Sequence, residues 1–441
     1  MNVEHCERSE SGKPITVVIV GAGHRSLLYA SYAKKHPDEL QVTGVVEPDP
    51  ERRKLTAKQF GLNDSCCFET VEQLASAPKL ADAVINGTMD DLHVQTTLPL
   101  LKAGYDVLLE KPIATSEQEM LQLYQTATQY GRTVMICHVL RYAPFYRAIR
   151  EAVSSGGIGD IVNIQTAEHV SYHHMAVSFI RGKWNSVEKC KSSMLMAKCC
   201  HDLDIISWMV GDKPSKVSSF GGLLQFKPAN APHGAGKRCL VDCQIEESCI
   251  YSARKHYIDQ GRWGFYVWDN SYLGSEPSLE QRIESLRTDN PYGRCVWHCD
   301  NDVVDHQSVI IEFDNGCTAS HNMVGATSRP CRTIHIIGTK GEITGVLEDG
   351  SFVIRHPDPR KGHEYSEKRV EVPVTNDSHG GGDLLLVADF VRVLRGEAPS
   401  ISSTSLEKSI YGHQIGFAGE HSRLEGRMIE IGGIEAVKQG K

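Results

Sequence analysis

The 441-residue chain is 40% hydrophobic and 23% charged, with a formal net charge of −8 and a pI near 6.2, the profile of a globular protein large enough for two cores. That acidic balance argues against the basic surface that nucleic acid or an anionic membrane requires, so neither is expected as a partner. No run approaches the roughly 18 apolar residues of a membrane span, and residues 1–12 lack the apolar stretch of a secretory signal.

From residue 15 the chain alternates short, valine- and isoleucine-rich runs with amphipathic stretches. "ITVVIVG" (15–21), "QVTGVVE" (41–47), "ADAVING" (81–87), "YDVLLEK" (105–111) and "TVMICHV" (133–139) have the continuous apolar character of strands buried on both faces. The segments between them, such as "PERRKLTAKQFG" and "SEQEMLQLYQTATQYG", read as helices. Residues 1–140 therefore predict an α/β unit, a doubly wound Rossmann domain with a parallel sheet.

The first strand runs into "GAGHRS", which places Gly21, Gly23, His24 and Arg25 on a tight turn before a helix, with Ser26 where a third glycine often stands. Glycines there let the backbone approach a pyrophosphate, so the turn is a candidate dinucleotide site. Glu47 ends the second strand, where a carboxylate accepts hydrogen bonds from ribose hydroxyls and repels a 2'-phosphate. NAD is accordingly expected in preference to NADP, a preference that Arg52 and Arg53 nearby would soften; the alternative is that Glu47 is a solvated acid opening a turn before Pro48.

"NGTMDDLHVQ" follows the strand at 81–87 and brings Asn86, Thr88 and His93 to the carboxyl edge, the ligand-binding edge of open α/β sheets. Glu110 and Lys111 end the next strand at the same edge, before Pro112. Lys111 is either a solvated strand cap or a cation aimed at the nicotinamide end of the cofactor, where it would hydrogen-bond a substrate hydroxyl and stabilise a developing alkoxide.

After residue 140 the pattern changes to a helix from Pro144 to Ser154, another around "CCHDLDIISWMVG", and longer alternating segments such as "HQSVIIEFD" and "RTIHIIGTK". Residues 141–441 predict an α+β domain with an open, mostly antiparallel sheet, closed by helices in "GGDLLLVADFVRVLRG" and "SLEKSIYGHQIGFAGEHSRLEG". Residues 225–300 are loop-rich and read as an insertion. "EHVSYHHMAVSFIRGKW" concentrates Tyr172, His173, Arg181 and Trp184, donors and flat rings suited to a hydroxyl-rich ligand, and "SHGGGD" adds His379. Cys239, Cys243, Cys249, Cys295 and Cys299 raise the question of zinc, but their spacing is longer than a C-x2-C knuckle and no metal is assigned. The fourteen cysteines read mostly as buried thiols in a reducing cytosol, so the expected location is cytoplasmic.

Gly21-Ala22-Gly23, Thr88 to His93, Glu110-Lys111-Pro112 and "CHVLRYAPFY" (137–146) together resemble the glucose–fructose oxidoreductase and inositol dehydrogenase family. The resemblance covers nearly the whole chain and is weakest across 225–300. It implies a second-domain helix that carries a catalytic histidine to the nicotinamide, here His201 in "LMAKCCHDLDIISW". The aspartate common in the family four residues earlier is replaced by Ala197, with Lys198 beside it. Lys198 and His201, three apart, would share one helix face, the lysine favouring the neutral, basic imidazole.

The expected function is NAD-dependent oxidation of a secondary hydroxyl on a sugar, polyol or glycoside, with Lys111, His201 and Lys198 as catalytic residues. The resemblance also implies a homodimer or homotetramer. Two alternatives stay open: an NAD-dependent glycosidase that oxidises, eliminates, hydrates and reduces in one cycle, and a non-catalytic NAD-sensing or scaffold protein.

Overall fold

A computed structural model describes residues 12–268, 277–373 and 378–432. Six strands, β1 (Ile15–Val20), β2 (Leu40–Val46), β3 (Cys67–Phe68), β4 (Ala83–Asn86), β5 (Asp106–Leu109) and β6 (Val134–Ile136), form a parallel sheet in the order β3-β2-β1-β4-β5-β6. The order reverses at β1 and β4, which opens a crevice at their carboxyl ends. Strand β3, two residues long, is too short to leave a pattern in the sequence.

Helices cover both faces of this sheet, so β1 and β4 to β6 are almost wholly buried and mostly apolar. Helices His93–Lys102 and Glu117–Gln129 pack Leu100, Leu101, Met120 and Leu123 on Val18, Val84 and Val107. The other face takes Tyr29 and Ala30 of helix His24–Ala30, and also Leu386, Val387 and Phe390 of helix Gly382–Leu394. A helix from the far end of the chain thus returns to cover the first sheet.

The second sheet has nine strands: β7 (Ile161–Ser171), β8 (Pro214–Gly222), β9 (His306–Phe313), β10 (Thr318–Thr327), β11 (Cys331–Gly338), β12 (Glu342–Val346), β13 (Ser351–Pro357), β14 (Tyr365–Glu371) and β15 (Ile429–Glu430). Their order is β14-β13-β12-β11-β7-β10-β9-β8-β15, antiparallel except where β7 meets β10. Strand β9 alternates exposed and buried along its whole length, as a sheet covered on one side must. Helices Pro144–Ser154, Cys200–Val210 and Leu406–Glu425 pack on the covered face, while Val162, Phe220 and Ile310 are exposed.

The two layers are joined by Arg141, fully buried in the short helix Val139–Tyr142 that leaves β6. Its Nε and Nη2 donate to the two carboxylate oxygens of Asp204 at 2.7 and 2.6 Å, and it also donates to the carbonyls of Ser403 and Lys408 at 3.0 Å. The 225–300 insertion builds a small core of its own, in which Tyr257, Trp268, Leu286 and Tyr292 pack on Val177. Among the described residues no helix is long and apolar enough to cross a membrane.

Candidate active site

Gly21 has φ 76°, and a Cβ there would meet Thr88 N at 3.1 Å and Gly87 O at 3.2 Å. The turn therefore requires glycine. Around Gly23 nothing lies within 4 Å of a hypothetical Cβ, the open cradle that a pyrophosphate needs. Ser26 is buried, and its Oγ stands 2.2 Å from where a Gly87 Cβ would be, so a small residue at each position lets the helix seat on β4. Glu47 is buried at the end of β2, its Oε2 accepting from Ala22 N at 2.7 Å and its Oε1 from Asp49 N at 3.0 Å. Its carboxylate is thereby held beside the turn. These features fit a dinucleotide.

Several polar residues of the carboxyl edge are engaged within the protein. Asn86 donates to the Thr96 and Thr97 hydroxyls at 2.9 Å and accepts from Thr88 N and Oγ1 at 3.2 and 3.0 Å. With both donors and its acceptor used, Asn86 shapes the loop that presents Thr88. His93 spans two loops, Nδ1 lying 2.6 Å from Pro112 O and Nε2 3.1 Å from Thr88 O. Arg25 pairs with Glu110 at 2.9 Å and with Asp383 of the returning helix, and Tyr29 donates to Glu110 at 2.7 Å. Burial alone would raise the Glu110 carboxyl, but Arg25 and Lys111 hold it below the usual range.

Lys111 leaves β5 through a cis bond to Pro112, and its Nζ donates to Ala197 O at 2.9 Å. Ala197 is the last residue of the short helix Met194–Ala197, whose terminal carbonyls lack partners within the helix. Burial opposes the charge on Lys111, but Cys200, Glu110 and Asp90 raise its pKa, so it stays an ammonium. Four residues beyond Ala197, His201 lies buried in the first turn of helix Cys200–Val210, its Nδ1 without a partner. Burial first, then Lys111, His379 and His138, keep it neutral well below the ordinary histidine range.

His201 belongs to a group of close rings. His138 is 5.8 Å away and His379 5.4 Å, centroid to centroid, while His413 lies 5.3 Å from His138. His413 accepts from Ile113 N at 2.8 Å, and burial pushes it down to about 3. Burial also lowers His138 and His174. Such histidines fold uncharged, so the stability they contribute is present above their unfolded pKa of about 6.5 and is lost as pH falls below it, when only the unfolded chain takes up protons. For His413 alone this amounts to about 3 kcal/mol between neutrality and about pH 4. Urea unfolding midpoints measured across that window are expected to fall steeply.

Two sequence expectations are corrected. Lys198 and His201 do not share a helix face, because the chain breaks at Lys198 and Cys199 between two helices; Lys198 pairs instead with Glu168 of β7 at 3.1 Å. Glu168 and Asp202 in turn hold Arg332 at 2.6 and 3.0 Å. Arg181 does not present itself to a ligand: fully buried, it donates to Arg294 O at 2.6 Å, Tyr251 O at 2.8 Å and the Tyr257 hydroxyl at 3.1 Å, which anchors the insertion.

Among the described residues, the three metal-capable side chains whose ligand atoms lie within 4.8 Å of one another are Cys199, Asp202 and His321, not the insertion's cysteines. Arg332 already neutralises Asp202 in that group. In the insertion, the Arg181 guanidinium reaches to 3.5 Å from Cys239 Sγ.

The insertion also reaches the cleft. Trp263, with φ 60°, donates its indole N–H to His173 Nδ1 at 3.1 Å and stacks on His174 at 4.7 Å. Phe265 stacks on His24 of the glycine turn at 4.8 Å, and Tyr266 meets Trp184 at 6.0 Å. Trp184 in turn donates to Asp90 of the first domain at 3.2 Å. Tyr172 contacts His173 and the insertion's Tyr251 and His256. Burial, with Arg262 and His256, lowers His173 to about 4.

The structure thus gathers Lys111, His201 and His379, with Tyr172, His173 and Trp184 on the insertion side. Sequence reasoning missed His138, Asp383, Trp263 and Tyr266. His138 stood two residues beyond β6, at the same sheet edge that identified Lys111, and Asp383 lies four residues after His379, in the first turn of helix Gly382–Leu394.

Residues 15–138 match the NAD-binding Rossmann fold of an oxidoreductase family, Gfo/Idh/MocA, and residues 150–431 match that family's C-terminal alpha/beta domain. YteT of Bacillus subtilis, described only as an oxidoreductase, is 24% identical over 398 residues, 85% of this chain and 88% of the relative. A 1,5-anhydro-D-fructose reductase of Ensifer adhaerens is 27% identical over 40% of this chain, and a 2,7-anhydro-N-acetylneuraminate hydratase of Escherichia coli 25% identical over 47%. These two alignments span about half of each relative, 51% and 52%. A levoglucosan dehydrogenase, solved with NADH and levoglucosan, shares the fold with a TM-score of 0.68 at 16% identity, covering 96% of this chain and 100% of that one.

Proposed function

The chain belongs to the Gfo/Idh/MocA oxidoreductase family, and from that premise we propose that it is an NAD-dependent enzyme oxidising a secondary hydroxyl of a sugar, polyol or glycoside. The observation that carries this reading is the meeting of a charged Lys111 and a neutral His201 at the carboxyl edge of the NAD-binding sheet. Bound NAD supplies the hydride acceptor. Lys111 spends one of three N–H donors on Ala197 and has others to direct at the substrate oxygen, where its charge stabilises the alkoxide that develops as hydride leaves. His201, unprotonated at neutral pH, accepts the hydroxyl proton. Trp263 and Tyr266, with Tyr172, His173 and Trp184, form an aromatic wall for the sugar's apolar face. Reduction of nicotinamide by a panel of sugars and polyols tests the reading, and no reduction by any of them defeats it.

Glu47 supports NAD over NADP. A 2'-phosphate beside this buried carboxylate meets charge repulsion and forfeits the ribose hydrogen bonds. Glu47→Ala is expected to narrow the NAD preference by weakening NAD and relieving NADP, as titration of both cofactors would show. A wild type that favours NADP reverses the assignment.

A second reading, a redox-neutral cycle on a glycoside or anhydro sugar, is favoured by the second neutral histidine beside His201. Product formation without accumulating reduced nicotinamide distinguishes it.

A further inference from the structure

A cavity of about 530 Å³ lies on the insertion side of the cleft, between the 181–189 segment and residues 266–267 and 285–294. That volume falls within the range of about 300–1,000 Å³ usual for small-molecule sites. Neither Lys111 nor His201 lines it, but Tyr266 belongs to both places. Burial opposes the charge on Lys111, while Cys200, Glu110, Asp90 and Tyr266 favour it, so the Tyr266 phenol faces the reactive ammonium and its ring walls the cavity. Trp184 extends this partition, meeting Tyr266 at 6.0 Å and donating to Asp90 at 3.2 Å. A ligand of two joined rings can therefore hold one at Lys111 and lodge the other beyond Tyr266.

The lining is cationic. Arg181, Lys183, Lys189 and Arg294 contribute to it against one acid, Asp289, in a chain whose net charge is −8. Asp300 pairs with Lys189 and Arg294, whereas Arg181 is held by the carbonyls of Arg294 and Tyr251, which orient its charge without cancelling it. The Lys183 ammonium lies 5.2 Å from the centre of the Trp184 ring and 5.9 Å from that of Tyr266, so a positive charge stands at the partition itself. Concave walls of one sign focus such a field on an anion.

We propose that this cavity is a subsite for an acidic sugar unit, so that the substrate is a glycoside joining the oxidised ring to a uronic acid whose carboxylate Lys183 holds. The inference rests on the proposed oxidation and names its substrate class. The face of Tyr266 carries the apolar side of the second ring, and the carboxylate, ionised at neutral pH, meets the cationic lining. This unit takes no part in hydride transfer. It binds equally before and during the reaction, so its effect falls on KM and leaves kcat nearly unchanged.

The test uses the full chain with NAD and three forms of a sugar that reduces it: the methyl glycoside, and the disaccharides joining it to glucose and to glucuronic acid. kcat/KM is expected to be at least about tenfold higher for the acidic disaccharide than for the neutral one, through KM, and that advantage should shrink as salt is added. Lys183→Glu should abolish the advantage. Asp289→Trp, which fills the cavity from an exposed position, should bring both disaccharides down to the methyl glycoside or below it. Turnover of the methyl glycoside should be unchanged in both variants. Equal kcat/KM for the two disaccharides in wild type, or an acidic preference that survives Lys183→Glu, overturns the inference and leaves the oxidation standing. If no sugar reduces nicotinamide, the oxidation falls, and calorimetric titration of the NAD-loaded protein with free glucuronic acid and with glucose decides the subsite alone. Preference for the acid, lost in Lys183→Glu, supports it, and no preference defeats it.

Discussion

Lys111→Met is expected to slow hydride transfer by about two orders of magnitude or more, the scale of losing one preorganised charge at a developing alkoxide, while leaving NAD affinity close to that of the wild type. Methionine keeps the length and apolar stem but removes the ammonium that Ala197 O holds and that the proposed reaction directs at the substrate oxygen. The loss should extend to His201. Lys111 is the strongest influence after burial keeping that ring neutral, so the variant's base should titrate at higher pH. His201→Ala should be impaired to a similar degree and partly recover at high pH, where hydroxide replaces the missing base. The double variant should be far less than additively worse, because in the proposed reaction both groups serve one proton transfer. Single-turnover rates with a substrate deuterated at the oxidised carbon provide the measurement. Near-normal hydride transfer in Lys111→Met would make the lysine a strand cap.

Arg141→Met is expected to remove about 3–5 kcal/mol of stability, since it leaves Asp204 as an uncompensated charge in the interior. The damage is not confined to one ion pair, because Arg141 also satisfies the carbonyls of Ser403 and Lys408. A loss of that size is a large part of the usual 5–15 kcal/mol total for a folded protein, about. Pairing it with Asp204→Leu should restore part of the loss, as replacing both ions with apolar groups of similar volume often does. Urea denaturation of the two single variants and the double variant gives the coupling directly. A shift below about 1 kcal/mol in Arg141→Met would place the pair among weak surface bridges.

The Rossmann sheet was readable because parallel strands buried on both faces leave unbroken apolar runs, and the carboxyl-edge rule then singled out Lys111 without any partner being known. His201 was legible only through the resemblance, since a buried histidine carries no mark of catalysis in its own sequence. Lys198 was misplaced because spacing presumes a continuous helix, whereas the helix ends at Ala197 and exposes the carbonyl that Lys111 takes. Arg181 was misread because composition cannot distinguish an arginine that faces a ligand from one that ties down a loop. His413, Asp383 and Trp263 lie far along the chain from their neighbours, and only packing brings them to the cleft.

The contact of Phe265 with His24 and the Trp184 bond to Asp90 carry a kinetic consequence. One end of this bridge rests on the glycine turn that fits a dinucleotide, so Phe265→Ala is expected to speed release of bound NAD, as stopped-flow off-rates would show. Loosening Phe265 would shift the slow step between chemistry and exchange.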